Sequence, residues 1–184
     1  DAGGSAVSYP DTAVITSNSG SIAFDRSVYP VPFTANDLST GDATTTTATQ
    51  TEAGKVTAWI TVSDVDETND TLTTGSTSAA GKVLIKHTNS TGSVTIGTAG
   101  SIFSVDATAG TRAAELGPMS EVALGTSSYE TSISISETMG YADGTVTIRA
   151  GDVITAEYVD EADNAGSTST FYDSSTFDLR TGTL

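Results

Sequence analysis

The sequence predicts an all-β protein, an antiparallel β-sandwich of seven or more strands. Apolar and polar residues alternate with period two in short segments bounded by Gly, Asn, Asp and Ser, which is the pattern of half-buried strands. The 184 residues include 34 Thr and 24 Ser, with few Lys and Leu, a composition that favours strand faces and turns over helices. The single helix candidate, residues 113–116, stops at Gly117-Pro118, so we expect a turn there.

The individual strands follow from the alternation in chain order. Their apolar positions are Val56, Ala58, Ile60 and Val62; Val83 and Ile85; Val94 and Ile96; Ile133 and Ile135; Val146 and Ile148; Val153 and Ile154; and Phe177 and Leu179. After Ile154 the pattern leaves open whether Ala156 and Tyr158, or Glu157 and Val159, face inward. We interpret Trp59, within the first of these strands, as packed in the core or between the sheets.

The chain divides into one domain and an extension. Residues 1–20 are polar and rich in Gly and Ser, which predicts an extended N-terminal segment or linker. Residues 21–184 form the predicted sandwich domain, interrupted by a long polar insertion at residues 37–54 that we expect to be an exposed loop.

Charge and cysteine content exclude several classes of function. Lys and Arg total 7 against 23 Asp and Glu, a formal net charge of -16, which leaves no basic surface for a nucleic acid or an anionic membrane. No apolar run is long enough to cross a bilayer as a helix, so we expect no membrane insertion. The chain has no Cys, which excludes disulfides and thiolate chemistry. An acidic surface attracts cations instead.

One acidic cluster follows the predicted strand that ends near residue 63. Asp64, Asp66, Asn69 and Asp70 place four oxygen-bearing side chains within seven residues. Hard cations such as calcium bind six to eight oxygen ligands of this kind. The spacing is not that of an EF-hand loop, and a solvated acidic turn is the alternative.

A second cluster repeats this design after another strand. Asp160, Glu161, Asp163 and Asn164 follow the alternating segment 153–159. By itself the cluster fits a calcium site or a plain turn equally well. Its recurrence strengthens the calcium prediction for both clusters.

The sequence carries no catalytic motif, and we predict that the chain is not an enzyme. His87 is the only histidine and no Ser lies in a G-x-S-x-G segment, so we expect His87 to be a polar surface residue rather than part of a triad. Two carboxylates could serve a glycosidase, but no aromatic-rich stretch is present to line a sugar cleft. Asn69 and Asn89 match the N-glycosylation pattern and are candidate glycan sites.

Residues 20–33, Gly-Ser-Ile-Ala-Phe-Asp-Arg-Ser-Val-Tyr-Pro-Val-Pro-Phe, resemble the opening of Ig-like repeats in large prokaryotic surface proteins, among them surface-layer (S-layer) proteins of the ammonia-oxidising archaeal kind. Residues 62–69 are similar to the acidic loop of that family. Residues 151–160 and 177–184 resemble its closing strands. The resemblance therefore covers both ends of the chain and one central loop.

The resemblance implies a calcium-stabilised, Ig-like module of an extracellular cell-surface layer or filament. Relatives carry many modules in one polypeptide, whereas this chain has one, so we expect either an excised segment or a subunit that joins copies of itself through terminal strands. The alternative function is an adhesin or carbohydrate-binding module. Aromatic side chains clustered on one face would favour that alternative.

Overall fold

The structure is a computed structural model, and it describes residues 19–33, 54–67, 71–72, 83–99, 114–116, 119–141, 143–161 and 165–179. None of these residues is helical. They form thirteen strands: β1 (Ser21–Phe24), β2 (Val28–Pro30), β3 (Val56–Ser63), β4 (Thr71–Leu72), β5 (Val83–Asn89), β6 (Gly92–Ala99), β7 (Ala114–Glu115), β8 (Met119–Glu121), β9 (Ser128–Ile135), β10 (Thr138–Tyr141), β11 (Gly144–Thr147), β12 (Val153–Asp160) and β13 (Ser169–Asp178).

The strands form two large sheets and one hairpin. Sheet A has the order β1-β3-β9-β8-β4, and sheet B has the order β2-β13-β12-β5-β6-β7. Strands β10 and β11 form a separate two-stranded hairpin. All pairs are antiparallel except β2 with β13 and β6 with β7, which are parallel. The predicted all-β, mainly antiparallel architecture is confirmed.

The core lies between the inward faces of the two sheets, because alternation turns every second side chain inward. Sheet A contributes apolar side chains from β1, β3 and β9, and sheet B contributes them from β5, β6, β12 and β13. In β12 the buried residues are Ile154, Ala156 and Tyr158, which settles the choice that the sequence left open.

Two interpretations of individual residues are corrected by the fold. Trp59 is 45% exposed on the outer face of sheet A, because its neighbours Ala58 and Ile60 are fully buried and a strand residue between two inward side chains must point outward. Ala114 and Glu115 form a strand rather than the expected turn, since they pair with Gly97 and Thr98 of β6.

Two further predictions lie mostly outside the described residues. The N-terminal segment, residues 1–20, is described only at Ser19 and Gly20. The polar insertion, residues 37–54, is described only at Gly54. Both remain predictions.

The chain passes from sheet A to sheet B between β1 and β2, and Asp25 fixes this crossing. Its Oδ1 accepts the Tyr29 hydroxyl at 2.5 Å and the Trp59 N–H at 2.9 Å. The Tyr29 ring is buried and packs edge-on against Phe24, with ring centroids 6.0 Å apart. Partial burial by itself raises the pKa of Asp25, but the bonds from Tyr29 and Trp59 together with the Arg26 guanidinium hold that pKa below its ordinary value.

We expect Tyr29→Phe to weaken the sandwich by about 1.5–3 kcal/mol at pH 7, because it removes a hydrogen bond to a charged acceptor. A depressed pKa adds stability above the ordinary value of 3.8, and that contribution disappears as the pH falls through the lower folded-state pKa. The difference in the free energy of unfolding between variant and wild type should therefore become smaller at acidic pH. Urea unfolding at several pH values measures it, and Tyr172→Phe, at a tyrosine 61% exposed, is the control. A gap that is constant with pH would contradict the assignment.

Candidate metal centre

Three carboxylates meet at one end of the sandwich. Asp64 follows β3 of sheet A, Asp66 lies two residues further on, and Asp160 is the last residue of β12 in sheet B. Each offers one oxygen, and these oxygens all lie within 4.8 Å of one another. The structure thus brings members of both acidic clusters of the sequence into a single group, which we call the carboxylate cluster.

Strand alternation turns the two buried carboxylates, Asp64 and Asp160, toward the inside of the sandwich. Asp64 is in phase with Val62, and Asp160 is in phase with Tyr158, both of which face the core. Asp64 is 3% exposed and Asp160 is 2% exposed. Asp66 is exposed, so the cluster reaches from the sandwich interior to the solvent.

Hydrogen bonds hold the cluster across the two sheets. The Tyr158 hydroxyl of sheet B donates to Asp64 Oδ2 at 2.5 Å. The Gly20 N–H donates to Asp160 Oδ2 at 3.0 Å. The second oxygen of Asp64, Oδ1, is buried and has no hydrogen-bond partner among the described residues. A buried carboxylate oxygen without a donor is costly, and a bound cation would remove that cost.

The electrostatic environment also disfavours the charged form of Asp64 when no cation is bound. Burial raises the pKa of Asp64, and the neighbouring Asp66 carboxyl raises it further, while the bond from Tyr158 offsets part of the rise. Burial, followed by the hydrogen bond to Asp64 and the charges of Asp64, Asp160 and Glu67, also raises the pKa of the Tyr158 hydroxyl, which therefore stays a neutral donor. A divalent cation would offset both the burial and the repulsion that raise the pKa of Asp64.

The donor set restricts which metals fit. The cluster offers carboxylate oxygens and no His or Cys ligand, which suits hard cations such as calcium and magnesium rather than zinc or copper. Three carboxylates supply three ligands, or more where they bind through both oxygens, so a calcium ion would need additional oxygens from water or from neighbouring chain.

The other predicted metal ligands have different outcomes. Glu161 is described and exposed directly after β12, but it does not belong to the group of three. Asn69, Asp70, Asp163 and Asn164 lie outside the described residues. Those four remain predictions.

His87 is not the surface residue that the sequence suggested. It is 1% exposed, and its Nε2 lies 2.7 Å from Asp152 Oδ2. The prediction was wrong because the alternation of Val83 and Ile85 continues to His87 and turns it inward. Asp152 Oδ2 also accepts the Arg149 N–H at 2.8 Å. The pair therefore ties β5 to the turn before β12.

The candidate glycan site that is described, Asn89, is the last residue of β5, directly before the turn to β6. Asn89 Oδ1 accepts the Thr91 N–H at 2.8 Å and the Thr91 hydroxyl at 2.6 Å, and Asn89 is half-buried. Asn69 lies outside the described residues. Glycosylation at either position remains a prediction.

Comparison of the sequence with protein-family models found no match, and comparison with curated protein sequences found no significant match. In the part of the chain that the structure describes, no helix is long and apolar enough to cross a membrane.

We expect Asp64→Asn to stabilise the metal-free protein at pH 7. The folded-state pKa of Asp64 lies above its ordinary value, so its contribution to stability is greatest below that ordinary value and is lost as the pH rises through the folded-state pKa. The gain in stability of the Asp64→Asn variant over wild type should therefore become smaller as the pH falls and Asp64 becomes protonated. Thermal unfolding in chelator between pH 4 and 7 measures this, with Asp143→Asn, an exposed turn residue, as control. A variant less stable than wild type at pH 7 without metal would contradict the prediction.

Proposed function

We propose that this protein is a structural module of an extracellular cell-surface layer or filament, with an Ig-like sandwich stabilised by calcium. The observation that carries the proposal is the carboxylate cluster. It joins the end of β3 in sheet A to the end of β12 in sheet B, in a chain without cysteine. A cation held there would cross-link the two sheets where a disulfide cannot.

The expected affinity suits an environment rich in calcium. A cation bound only by the folded state adds about 2.7 kcal/mol of stability at a hundred times its dissociation constant. Calcium sites of extracellular modules have dissociation constants of about 0.1–1 mM. A cluster that is open to solvent at Asp66 and has three carboxylates fits this weak class, so the module would be most stable outside the cell.

Assembly through the terminal strands is supported by the position of Gly20. Its N–H is bonded to Asp160, and it lies so close to the Tyr158 ring that a Cβ would come within 2.6 Å of Cε1. Gly20, the residue directly before β1, therefore lies at the carboxylate cluster. In sheet A, residues 131–135 of β9 pair with β3 on one side and with no described strand on the other, an edge that a strand from another copy could extend.

The alternative, an adhesin or carbohydrate-binding module, has less support. The two largely exposed aromatic residues of the described chain are Trp59 and Tyr172. They lie on the outer faces of different sheets, β3 in sheet A and β13 in sheet B. These two rings therefore do not form one sugar-binding platform.

We expect saturating calcium to raise the melting temperature by about 5–10 °C, from about 2.7 kcal/mol of added stability in a domain of this size. Sodium at equal ionic strength should raise it much less, because screening alone does not fill the cluster. Asp66→Asn should remove most of the calcium increment. Asp66 is exposed, so the substitution leaves the core intact.

Asp143→Asn is the matched control, since it makes the same change at an exposed turn residue outside the cluster. It should keep the full calcium increment. Equal stabilisation by sodium and calcium, or equal losses in the two variants, would reject the calcium site. Stabilisation by magnesium equal to that by calcium would reject calcium as the specific ion.

We expect the purified full chain to form filaments or sheets in calcium, visible by negative-stain electron microscopy. Deletion of residues 1–19 should abolish them while leaving the calcium-dependent melting temperature in place, because the cluster residues remain. Assembly that is unchanged by the deletion would show that the N-terminal segment does not join the copies.

A further inference from the structure

The backbone of Asp64 is held by the loop that joins β8 to β9, residues 122–127, which we call the capping loop. Strands β3 and β9 pair along their whole length, and Ser63 lies opposite Ser128 at the end of the ladder. One more hydrogen bond continues the ladder beyond β3, because the Asp64 N–H donates to the Ser127 carbonyl at 2.9 Å. This bond fixes the point from which the buried Asp64 side chain enters the carboxylate cluster.

The Ser127 carbonyl has this position because the Ser127 backbone is left-handed. Its φ is 53°, and in the part of the chain that the structure describes no other residue except glycine has a positive φ. A side chain makes this conformation unfavourable for an L-residue. Other contacts must therefore hold Ser127 in it.

Glu121, the last residue of β8, supplies those contacts. Its Oε1 accepts the Ser127 N–H at 2.6 Å, and its Oε2 accepts the Gly125 N–H at 2.9 Å. One carboxylate thus binds both residues of the capping loop that have a positive φ. Hydrogen bonds to a charged acceptor are stronger than those between neutral groups, so the carboxylate is well suited to hold this unfavourable backbone.

Apolar packing contributes little to the capping loop. Val122 is 61% exposed and Leu124 is 85% exposed, so its two largest apolar side chains do not anchor it in the core. The Ala123 carbonyl accepts the N–H and the hydroxyl of Thr126, which closes the turn within the loop. The conformation of the last loop residue therefore depends on the Glu121 carboxylate.

The acidic segment after β3 has a second anchor on β9. Tyr129 is fully buried, and its hydroxyl donates to the Glu67 carbonyl at 3.2 Å. The segment is thus bound near the start of β9 at both Asp64 and Glu67. Asp66 lies between these anchors and is exposed. The buried ligand is therefore the one whose backbone the fold fixes most closely.

We propose that Glu121 is a positioning residue for the cation site of the carboxylate cluster. Glu121 is not a member of the cluster. It orders the capping loop, whose Ser127 carbonyl fixes Asp64, so that the buried Asp64 carboxylate is in place before a cation binds. The inference rests on the proposed calcium site. Loss of a group that orients metal ligands typically weakens metal binding by about 10–100-fold.

Terbium gives a direct measure of the cation site. It binds oxygen ligands as calcium does, and its luminescence is excited through a nearby tyrosine; the Tyr158 hydroxyl is bonded to Asp64 at the cluster. We expect Glu121→Gln in the full chain to raise the dissociation constants of terbium, and of calcium in competition with it, about tenfold. The Gln side chain has a single acceptor oxygen and can keep only one of the two loop bonds.

Glu130→Gln is the matched control, because it removes the same charge from an exposed residue of the neighbouring strand β9. It should leave both dissociation constants within twofold of wild type. Titrations well below the melting temperature use folded protein only, so a loss of stability alone does not change the dissociation constant. Equal dissociation constants for the two variants would overturn the proposal.

Hydrogen exchange at the Asp64 N–H gives a readout that needs no metal. In chelator, we expect Glu121→Gln to speed exchange of this amide at least tenfold, and Glu130→Gln to leave it unchanged. The Phe177 N–H, which donates to the Asp152 carbonyl at 2.8 Å near the opposite end of β12, is the internal reference. A general loss of stability would speed both amides. An equal increase at both would assign Glu121 to overall stability and overturn the proposal.

The outcomes separate this inference from the proposed function. Calcium binding that is the same in wild type and Glu121→Gln would retain the calcium site and reject the role of Glu121. No binding of terbium or calcium by wild type would reject the calcium site. Exchange at the Asp64 N–H would then decide by itself whether Glu121 positions Asp64.

Discussion

The hydrogen bond from the Tyr158 hydroxyl to Asp64 links sheet A to sheet B at the end of the sandwich. Tyr158 belongs to the core of sheet B and is fully buried, and its hydroxyl is bonded to a carboxylate that leaves the end of β3 in sheet A. The bond fixes the two strand ends relative to each other. It also keeps Asp64 buried at the sandwich end, where Asp66 and Asp160 approach it. The fold and the candidate metal centre therefore depend on the same interaction.

The sequence predicted the strands well because alternation is a local property. The segments containing Ile60, Ile85, Ile133 and Ile154 all form strands with those residues buried. The same alternation predicts that Trp59 points outward and His87 inward. The opposite expectations came from the environments in which Trp and His usually occur. These two corrections reflect information that was present in the sequence.

Other features could not be predicted from periodicity. The pairing of β7 with β6 is parallel and non-local, and a two-residue strand leaves no periodic pattern. The sequence also showed two acidic clusters without showing that they meet, since alternation tells which way a side chain points but not which strand ends are neighbours. Only the arrangement of β3 and β12 in opposite sheets brings Asp64 to Asp160.

The buried or partly buried acids of this chain differ in how their oxygens are satisfied. Asp25 is held by Tyr29, Trp59 and Arg26, and Asp152 is held by His87 and the Arg149 N–H. In both cases the protein supplies the donors.

Asp64 is different, because it receives the Tyr158 hydroxyl on one oxygen, has no described partner on the other, and faces two further carboxylates. Burial and repulsion raise its pKa, whereas hydrogen bonds hold the pKa of Asp25 below its ordinary value. The fold supplies partners for the carboxylates of Asp25 and Asp152, whereas one buried oxygen of Asp64 has none among the described residues. The three carboxylates could hold a hard cation, whose charge would offset their repulsion and whose coordination would use the free oxygen of Asp64.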